Sequence, residues 1–331
     1  ARVPLHHATY AHLRETFNLP SQLAISVISK AVEALKSAKT RLKNGKNASC
    51  PQSKHCPIRY DARSYTLSFA KQTVSFLTID GRLKIKFSIP EYYEQYLDWE
   101  HRSADLVIQN GKVYLHVVLQ TEVVNPSKSG QVFGIDRGVK KLAVVSNNRF
   151  FSGSRIKEVS NKIQALRSNL QSVGSRSAKR HLAALRGKEQ RFRKDVNHCV
   201  SKQIVDSLPA GSTIVLEKLS GIRDRCNFGK KVRSQIHRWN FFQLETFLTY
   251  KAFGNGIDVV HVDPRNTSRT CSKCGHCSKS NRKSQCKFKC EVCDYSLNAD
   301  LNASRNIRNK HLAAICCNDG AELSTSLLLS V

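Results

Sequence analysis

The sequence predicts a layered α/β domain, preceded by a helical segment and an antiparallel β unit and interrupted near its end by a cysteine knuckle. Three observations predict it. Apolar runs recur across residues 132–262 in the order strand hairpin, helices, strand, helix, strand, the order of a sheet with helices on its faces. Residues 57–120 instead alternate with period two, with Asp80-Gly81 and Asn110-Gly111 between neighbouring runs; both dipeptides favour the φ > 0 geometry of tight hairpins. Two CxxC pairs follow, with 15 residues between them.

The 331 residues are 40% hydrophobic and 24% charged, enough for two or three units with real cores. No uncharged apolar stretch reaches the length of about 18 residues that a membrane span needs. No export signal opens the chain, so its cysteines are expected in a reducing cytoplasm, near the nucleoid in a prokaryote. With no methionine and Ala1 first, the chain is expected to be a fragment or to have lost residues.

Each element has its own signal. Leu23, Val27, Ala31, Leu35, Ala38 and Leu42 recur at steps of three or four, which predicts a helix over 18–43 with that stripe in the core, ended by Asn44-Gly45. Strands are expected at Tyr65–Ala70, Val74–Ile79, Arg82–Ile89, Ala104–Gln109 and Lys112–Leu119, forming an antiparallel sheet or small barrel. Arg82, Lys84 and Lys86 fit either a phosphate-binding face or a solvated one. Val132–Asp136, a turn at Gly138 and Lys141–Val145 read as strand, turn, strand. Residues 155–194 read as a basic helical hairpin split at Gly174-Ser175. Ser212–Leu216 is an apolar strand closing on Glu217, Trp239–Phe253 a helix and Ile257–Val262 a further strand. The tail from Leu312 shows no pattern.

Charge narrows the partners. Fifty-four Lys and Arg against 25 Asp and Glu leave a net +29, an excess that usually persists because a polyanion neutralises it. It is densest in residues 155–194, where twelve Lys and Arg, among them Lys157, Lys162, Arg167, Arg176, Lys179, Arg180, Arg191 and Arg193, stand against Glu158 and Glu189 alone. These are the candidate nucleic-acid contacts.

A CxxC turn aims two thiolates at one point, and two such turns complete a tetrahedral sulfur set. Cys271, Cys274, Cys290 and Cys293 are therefore expected to bind one structural Zn²⁺, with an iron–sulfur centre as the other occupant that soft ligands favour. Cys277 and Cys286 lie inside the loop and compete as ligands. Cys50, His55 and Cys56 have poor spacing for a second site. Cys199, Cys226, Cys316 and Cys317 read as buried thiols. The loop is basic, with Lys279, Arg282, Lys283, Lys287 and Lys289.

Acids are scarce, so those at element ends stand out. Asp136 and Glu217 end strands, and Asp300 opens a helical stretch. Three carboxylates on separate elements can meet at one sheet edge and hold two Mg²⁺ ions about 4 Å apart. Asp300 alone also fits a helix N-cap.

Four ordered motifs carry a resemblance. They are Gly134-Ile135-Asp136-Arg137-Gly138-Val139, Ile214-Val215-Leu216-Glu217-Lys218-Leu219, the run from Val262-Asp263-Pro264-Arg265 through Arg269 to Cys271-Ser272-Lys273-Cys274-Gly275, and Asn298-Ala299-Asp300. Together they resemble the TnpB proteins of insertion sequences, relatives of compact type V CRISPR effectors and of Fanzor proteins. The resemblance implies a RuvC-like nuclease domain of RNase H fold over 129–266 and 297–310, with the zinc ribbon at 267–296. It also implies a recognition-like helical segment over 1–56, a wedge-like β-barrel over 57–128 and a tail at 311–331. Asp136, Glu217 and Asp300 become the catalytic ligands of Mg²⁺, or of Mn²⁺. The implied partners are a guide RNA from the transposon end and target double-stranded DNA. Arg265 and Arg269 become phosphate contacts beside the acids, and Lys283, in the basic loop between the cysteine pairs, is a further candidate nucleic-acid contact. The strands that precede a helix like 18–43 in the family are not seen here.

The expected function is RNA-guided, metal-dependent cleavage of DNA. The alternative is a nuclease-inactive RNA-guided binder, a repressor or a degraded copy, against which the intact acid trio argues. A strand-joining transposase needs a nucleophilic Tyr with paired histidines, and His6-His7 lacks that context.

Overall fold

The alternating segment and the hairpin dipeptides become strands where they predict them. The computed structural model describes residues 2–53, 56–109, 111–122, 130–219 and 241–318. Two units emerge, Ala1–Glu122 and Val123–Val331.

The first unit opens with helices α1 (Arg2–Phe17) and α2 (Ser21–Lys43). Strands β1 (Ile58–Tyr60), β5 (Glu100–Gln109) and β6 (Lys112–Gln120) form one antiparallel sheet in the order β1-β5-β6, and β2 (Tyr65–Ser68), β3 (Thr73–Thr78) and β4 (Gly81–Lys86) form another. Gly81 at φ +101° makes the β3–β4 turn as Asp80-Gly81 foretells; Asn110 lies outside the described residues. The expected single sheet or barrel is two three-stranded sheets sharing a core of Leu23, Tyr60, Tyr65, Leu67, Val74, Phe76 and Ala104. Helix α1 and strand β1 carry no signal that the sequence reading used.

Helix α2 is where its periodicity puts it, but its buried stripe is Leu23, Ala24, Ile28 and Val32. Val27 and Leu35 are exposed, lining an apolar groove of about 750 Å³ with Pro57 and Ile79. Two apolar stripes lie side by side on this helix, and small Ala24 and branched Ile28 allow the closer approach to the strands.

The second unit is built on one five-stranded sheet, ordered β11-β10-β7-β8-β9. Strands β7 (Val132–Asp136), β10 (Thr213–Glu217) and β11 (Asp258–Val262) run parallel; β8 (Lys141–Val145) and β9 (Arg149–Ser152) extend the sheet antiparallel. Between β9 and β10 the basic segment forms three helices where a hairpin of two is expected: α3 (Ser154–Val173), α4 (Arg176–Leu185) and α5 (Lys188–Val205). Gly174 at φ +65° ends α3 as foreseen, and Gly187 at φ +75° makes the second break.

Helix α6 (Phe241–Gly254) follows, then β12 (Lys287–Lys289), β13 (Ser296–Asn298) and α7 (Ala299–Asn318). Trp239 lies outside the described residues, and the patternless tail is helical as far as Asn318. Helices α5 and α6 bury Val200, Ile204, Leu244 and Leu248 against Ile135, Leu216 and Ile214 on one sheet face. Alternate strand residues face opposite ways, so Gly134 and Asp136 point to the other face. There α7 crosses β7 so closely that a Cβ on Gly134 would lie 2.0 Å from the Ser304 carbonyl oxygen and 2.6 Å from the Arg308 nitrogen. No helix among the described residues is long and apolar enough to cross a membrane.

Candidate functional site

Strand register brings the first two acids together. Leu216 on β10 pairs with Ile135 on β7 in parallel, so Glu217 and Asp136 stand side by side at the C-terminal ends of neighbouring strands, about 4.8 Å apart along the sheet. The third acid arrives through β13, which runs directly into α7. Asn298 Oδ1 accepts the backbone N–H groups of Asp300 and Leu301 at 3.1 and 3.2 Å. The N-cap role that Asp300 alone could have filled thus belongs to Asn298. Gly134 lets α7 approach β7, which sets Asp300 on the same sheet face as Asp136.

The three carboxyls share one electrostatic field. Burial, then the charges of Glu217 and Asp300, push the Asp136 carboxyl up to about 8, with Arg282 and Arg137 opposing. Burial also raises Glu217, against a hydrogen bond from Thr267 and the charge of Arg137. Asp300 is raised by burial and opposed by Arg282, Lys141 and Lys140. Cations near the trio therefore leave part of its negative charge unrelieved. A set of hard oxygen ligands in that condition fits divalent magnesium or manganese.

Four further side chains shape this site, and the sequence reading gave none of them a role in it. Thr267 Oγ1 donates to Glu217 Oε1 at 2.5 Å. Arg282, from the cysteine loop, places Nη2 3.5 Å from Asp300 Oδ1. Arg137, its side chain fully buried, donates from Nη2 to the Glu217 carbonyl oxygen at 2.7 Å and from Nη1 to Glu245 Oε2 at 2.5 Å. Arg137 adjoins Asp136 in the first motif, a usable signal; Glu245 sits in an aromatic helix with no such mark.

The cysteine knuckles close into one cluster. The sulfurs of Cys271, Cys274, Cys290 and Cys293 all lie within 4.8 Å of one another, the one such compact group of metal-ligating side chains among the described residues. Cys271 and Cys293 are 3.7 Å apart and Cys274 and Cys290 3.6 Å. Tetrahedral Zn–S bonds of about 2.3 Å require sulfurs about 3.8 Å apart, so the set fits zinc. Backbone N–H groups of Cys293 and Val292 hold the Cys290 thiol down at about 6. Cys277 and Cys286 are exposed and outside the cluster, as are Cys50 and Cys56. Cys199 and Cys316 are also exposed, contrary to the expectation of buried thiols: each falls on the outer side of its helix. His55, Cys226 and the side chain of Cys317 lie outside the described residues.

Of the basic candidates, Lys157, Lys162, Arg176, Lys179, Arg180 and Arg191 are exposed along α3–α5, as are Arg265, Arg269 and Lys283. Lys162 pairs with Glu158 and Lys283 with Glu291. Arg193 turns inward to Glu189 and Ser160, and Arg167 lies 3.8 Å from Glu189. These two help tie α3 to α5.

Comparison with known proteins matches this layout. Residues 116–220 match the family model OrfB_IS605, described as a probable transposase, and residues 241–307 match the Cas12f1-like TNB domain. The chain is 25% identical over 246 residues to a TnpB-like protein of Methanocaldococcus jannaschii, covering 69% of this chain and 86% of that one. The chain is therefore similar to a TnpB-like protein over most of that relative's length. It is also 34% identical over 206 residues to the CRISPR-associated endodeoxyribonuclease Cas12f1 of Sulfoacidibacillus thermotolerans, covering 57% of this chain and 47% of the relative. It is 29% identical over 229 residues to the putative RNA-guided DNA endonuclease InsQ of Escherichia coli, covering 63% and 56%. The matched part thus spans about half the length of these two curated relatives. A cryo-EM structure of a Cas12f1–sgRNA–target DNA complex superimposes with a TM-score of 0.65 at 19% identity, over 93% of this chain and 74% of that one. The chain therefore shares the Cas12f1 fold.

Proposed function

We propose that the chain is an RNA-guided DNA endonuclease of a transposable element, with Asp136, Glu217 and Asp300 as its metal-holding acids. The observation that carries the reading is the electrostatic meeting of three acids from β7, β10 and α7, in a chain whose relatives are named for such cleavage. The strand order β11-β10-β7-β8-β9, with acids on the two central parallel strands, supports a RuvC-like RNase H fold, with the zinc ribbon between its β11 and α7.

Two divalent ions, when bound, would supply acidified water and charge stabilisation for phosphodiester hydrolysis. The chain's own groups do the rest. Thr267 and Arg137 hold Glu217 from its side chain and its main chain. Arg282 sits beside Asp300 on the ribbon, where its guanidinium can donate to a phosphate oxygen of the strand being cut. Cys271, Cys274, Cys290 and Cys293 would hold a zinc ion with all four positions filled, which would leave none to activate water and would secure the loop that carries Arg282. The exposed cations of α3–α5, with Arg265, Arg269 and Lys283, are proposed to follow the phosphates of the guide–target duplex, while base pairing reads the sequence.

The test is cleavage of a plasmid library by the chain together with the RNA that copurifies with it, in Mg²⁺ or Mn²⁺. The expected products carry 5′ phosphate and 3′ hydroxyl. Asp136→Ala and Glu217→Ala are expected to lower cleavage by about 10²–10³-fold or more, starting from the range that loss of one transition-state contact produces, while RNA binding persists. Variants that cut as well as the parent would remove the acid-site assignment. A parent that binds RNA and target yet never cuts would be the nuclease-inactive binder.

A further inference from the structure

A fully buried arginine one residue from a metal-holding aspartate is an odd choice. A guanidinium there can act as a built-in cation, occupying the field that divalent ions need. The structure shows how this one is restrained. Arg137 has 0% side-chain exposure, and its Nη1 is 2.5 Å from Glu245 Oε2. Its Nη2 donates to the Glu217 main-chain oxygen at 2.7 Å, so the same group that Glu245 balances also pins the end of β10. Glu245 is held in turn. His261 Nε2 on β11 lies 2.8 Å from Glu245 Oε1, and the neighbouring Leu244 and Leu248 fix α6 in the sheet core.

We infer that the Glu245–Arg137 pair sets how tightly the acid trio holds divalent cations, with Glu245 a positioning residue acting from α6. The inference rests on the proposed role of the trio and adds a residue that touches none of the reacting atoms. The reasoning is one of charge. Arg137 lies within electrostatic reach of both Asp136 and Glu217. With Glu245 ionised beside it, much of its field is cancelled where the trio feels it. Without that partner, a whole positive charge remains in a low-dielectric setting, where Coulomb interactions are strong. It then repels a divalent ion and draws the carboxylates to itself.

The isosteric change Glu245→Gln removes the charge and keeps the shape. The measurement is the Mn²⁺ dependence of thermal unfolding of the zinc-loaded, nucleic-acid-free chain, from micromolar to millimolar Mn²⁺. Glu245→Gln is expected to raise the Mn²⁺ concentration for half-maximal stabilisation roughly tenfold or more. The conservative change Glu245→Asp, which keeps the charge beside Arg137, is expected to hold it within about threefold of the parent. Lower melting in Glu245→Gln with an unchanged Mn²⁺ midpoint would make the pair a plain structural staple and overturn the inference. So would a Glu245→Asp variant as weak in Mn²⁺ as Glu245→Gln. Asp136→Asn separates the two readings. If it abolishes the Mn²⁺ response while Glu245→Gln leaves it intact, only this inference fails. If Asp136→Asn responds like the parent, or the parent does not respond, the metal-holding role of the trio fails with it.

Discussion

Asp136 shows what a buried acid costs when it has like-charged neighbours. Its folded carboxyl titrates near 8, against 3.8 for the free group, chiefly through burial and then through Glu217 and Asp300. A raised acid binds its proton more tightly in the folded state, so its effect on stability turns unfavourable as pH rises from about 4 towards about 8. Glu217 and Asp300 shift the same way. In zinc-loaded protein without added divalent ions, Asp136→Asn is therefore expected to melt higher than the parent at pH 8.5. The margin should be several degrees and shrink as the pH is lowered to 5. Thermal melts across that range check it, and a constant margin would contradict the shift. At this scale the acids stand out in the sequence because acids are rare in a +29 chain. Arg282 was noticed only as one loop cation, since nothing local tells which of several basic residues will reach back to Asp300.

At the scale of elements, the close crossing of α7 over β7 places the third acid. Gly134 permits it, because a methyl group there would overlap the Ser304 carbonyl oxygen at 2.0 Å. Gly134→Ala should force strand and helix apart at a cost of about 3 kcal/mol, which lowers the melting temperature by roughly 6–12 °C for a unit of this size. Cleavage should fall further than stability explains, since Asp300 moves with α7; melting and single-turnover cleavage of the same preparation test both parts. Element types followed from local pattern, as in α2, β10 and β11. The faces did not. Two apolar stripes on α2 compete for the core, and only the strands across from it select Ala24 and Ile28. The basic segment read as two helices is three, because Gly187 lies among strong helix formers and breaks them only by adopting φ +75°.

Across the whole molecule the charge is uneven, and its use can be measured. Exposed cations on α3, α4 and α5 carry much of the basic excess of the second unit. If they follow phosphates, binding to a guide–target duplex should weaken linearly in the logarithm of salt, with each lost contact reducing the slope by about 0.9. The triple change Lys179→Gln, Arg180→Gln and Arg191→Gln is predicted to reduce it by 2–3, without altering preference among target sequences. An unchanged slope would move the duplex away from these helices. Arg193→Gln should instead loosen α5 from α3, because its guanidinium serves Glu189 and Ser160.

By itself the sequence determined most element types, the four cysteines that close into one cluster, the net positive charge and the acids that stand at element ends. Those properties live in residue type and short spacing: a CxxC turn, a period of two, an acid at the end of an apolar run. Only the tertiary structure decided that Arg137 and Glu245, 108 positions apart, form a buried pair beside those acids, that Asn298 rather than Asp300 caps α7, and that Arg282 reaches Asp300. Each depends on which side chain another element leaves room for. Burial in a shared core sets that, and it acts through space with no memory of distance along the chain.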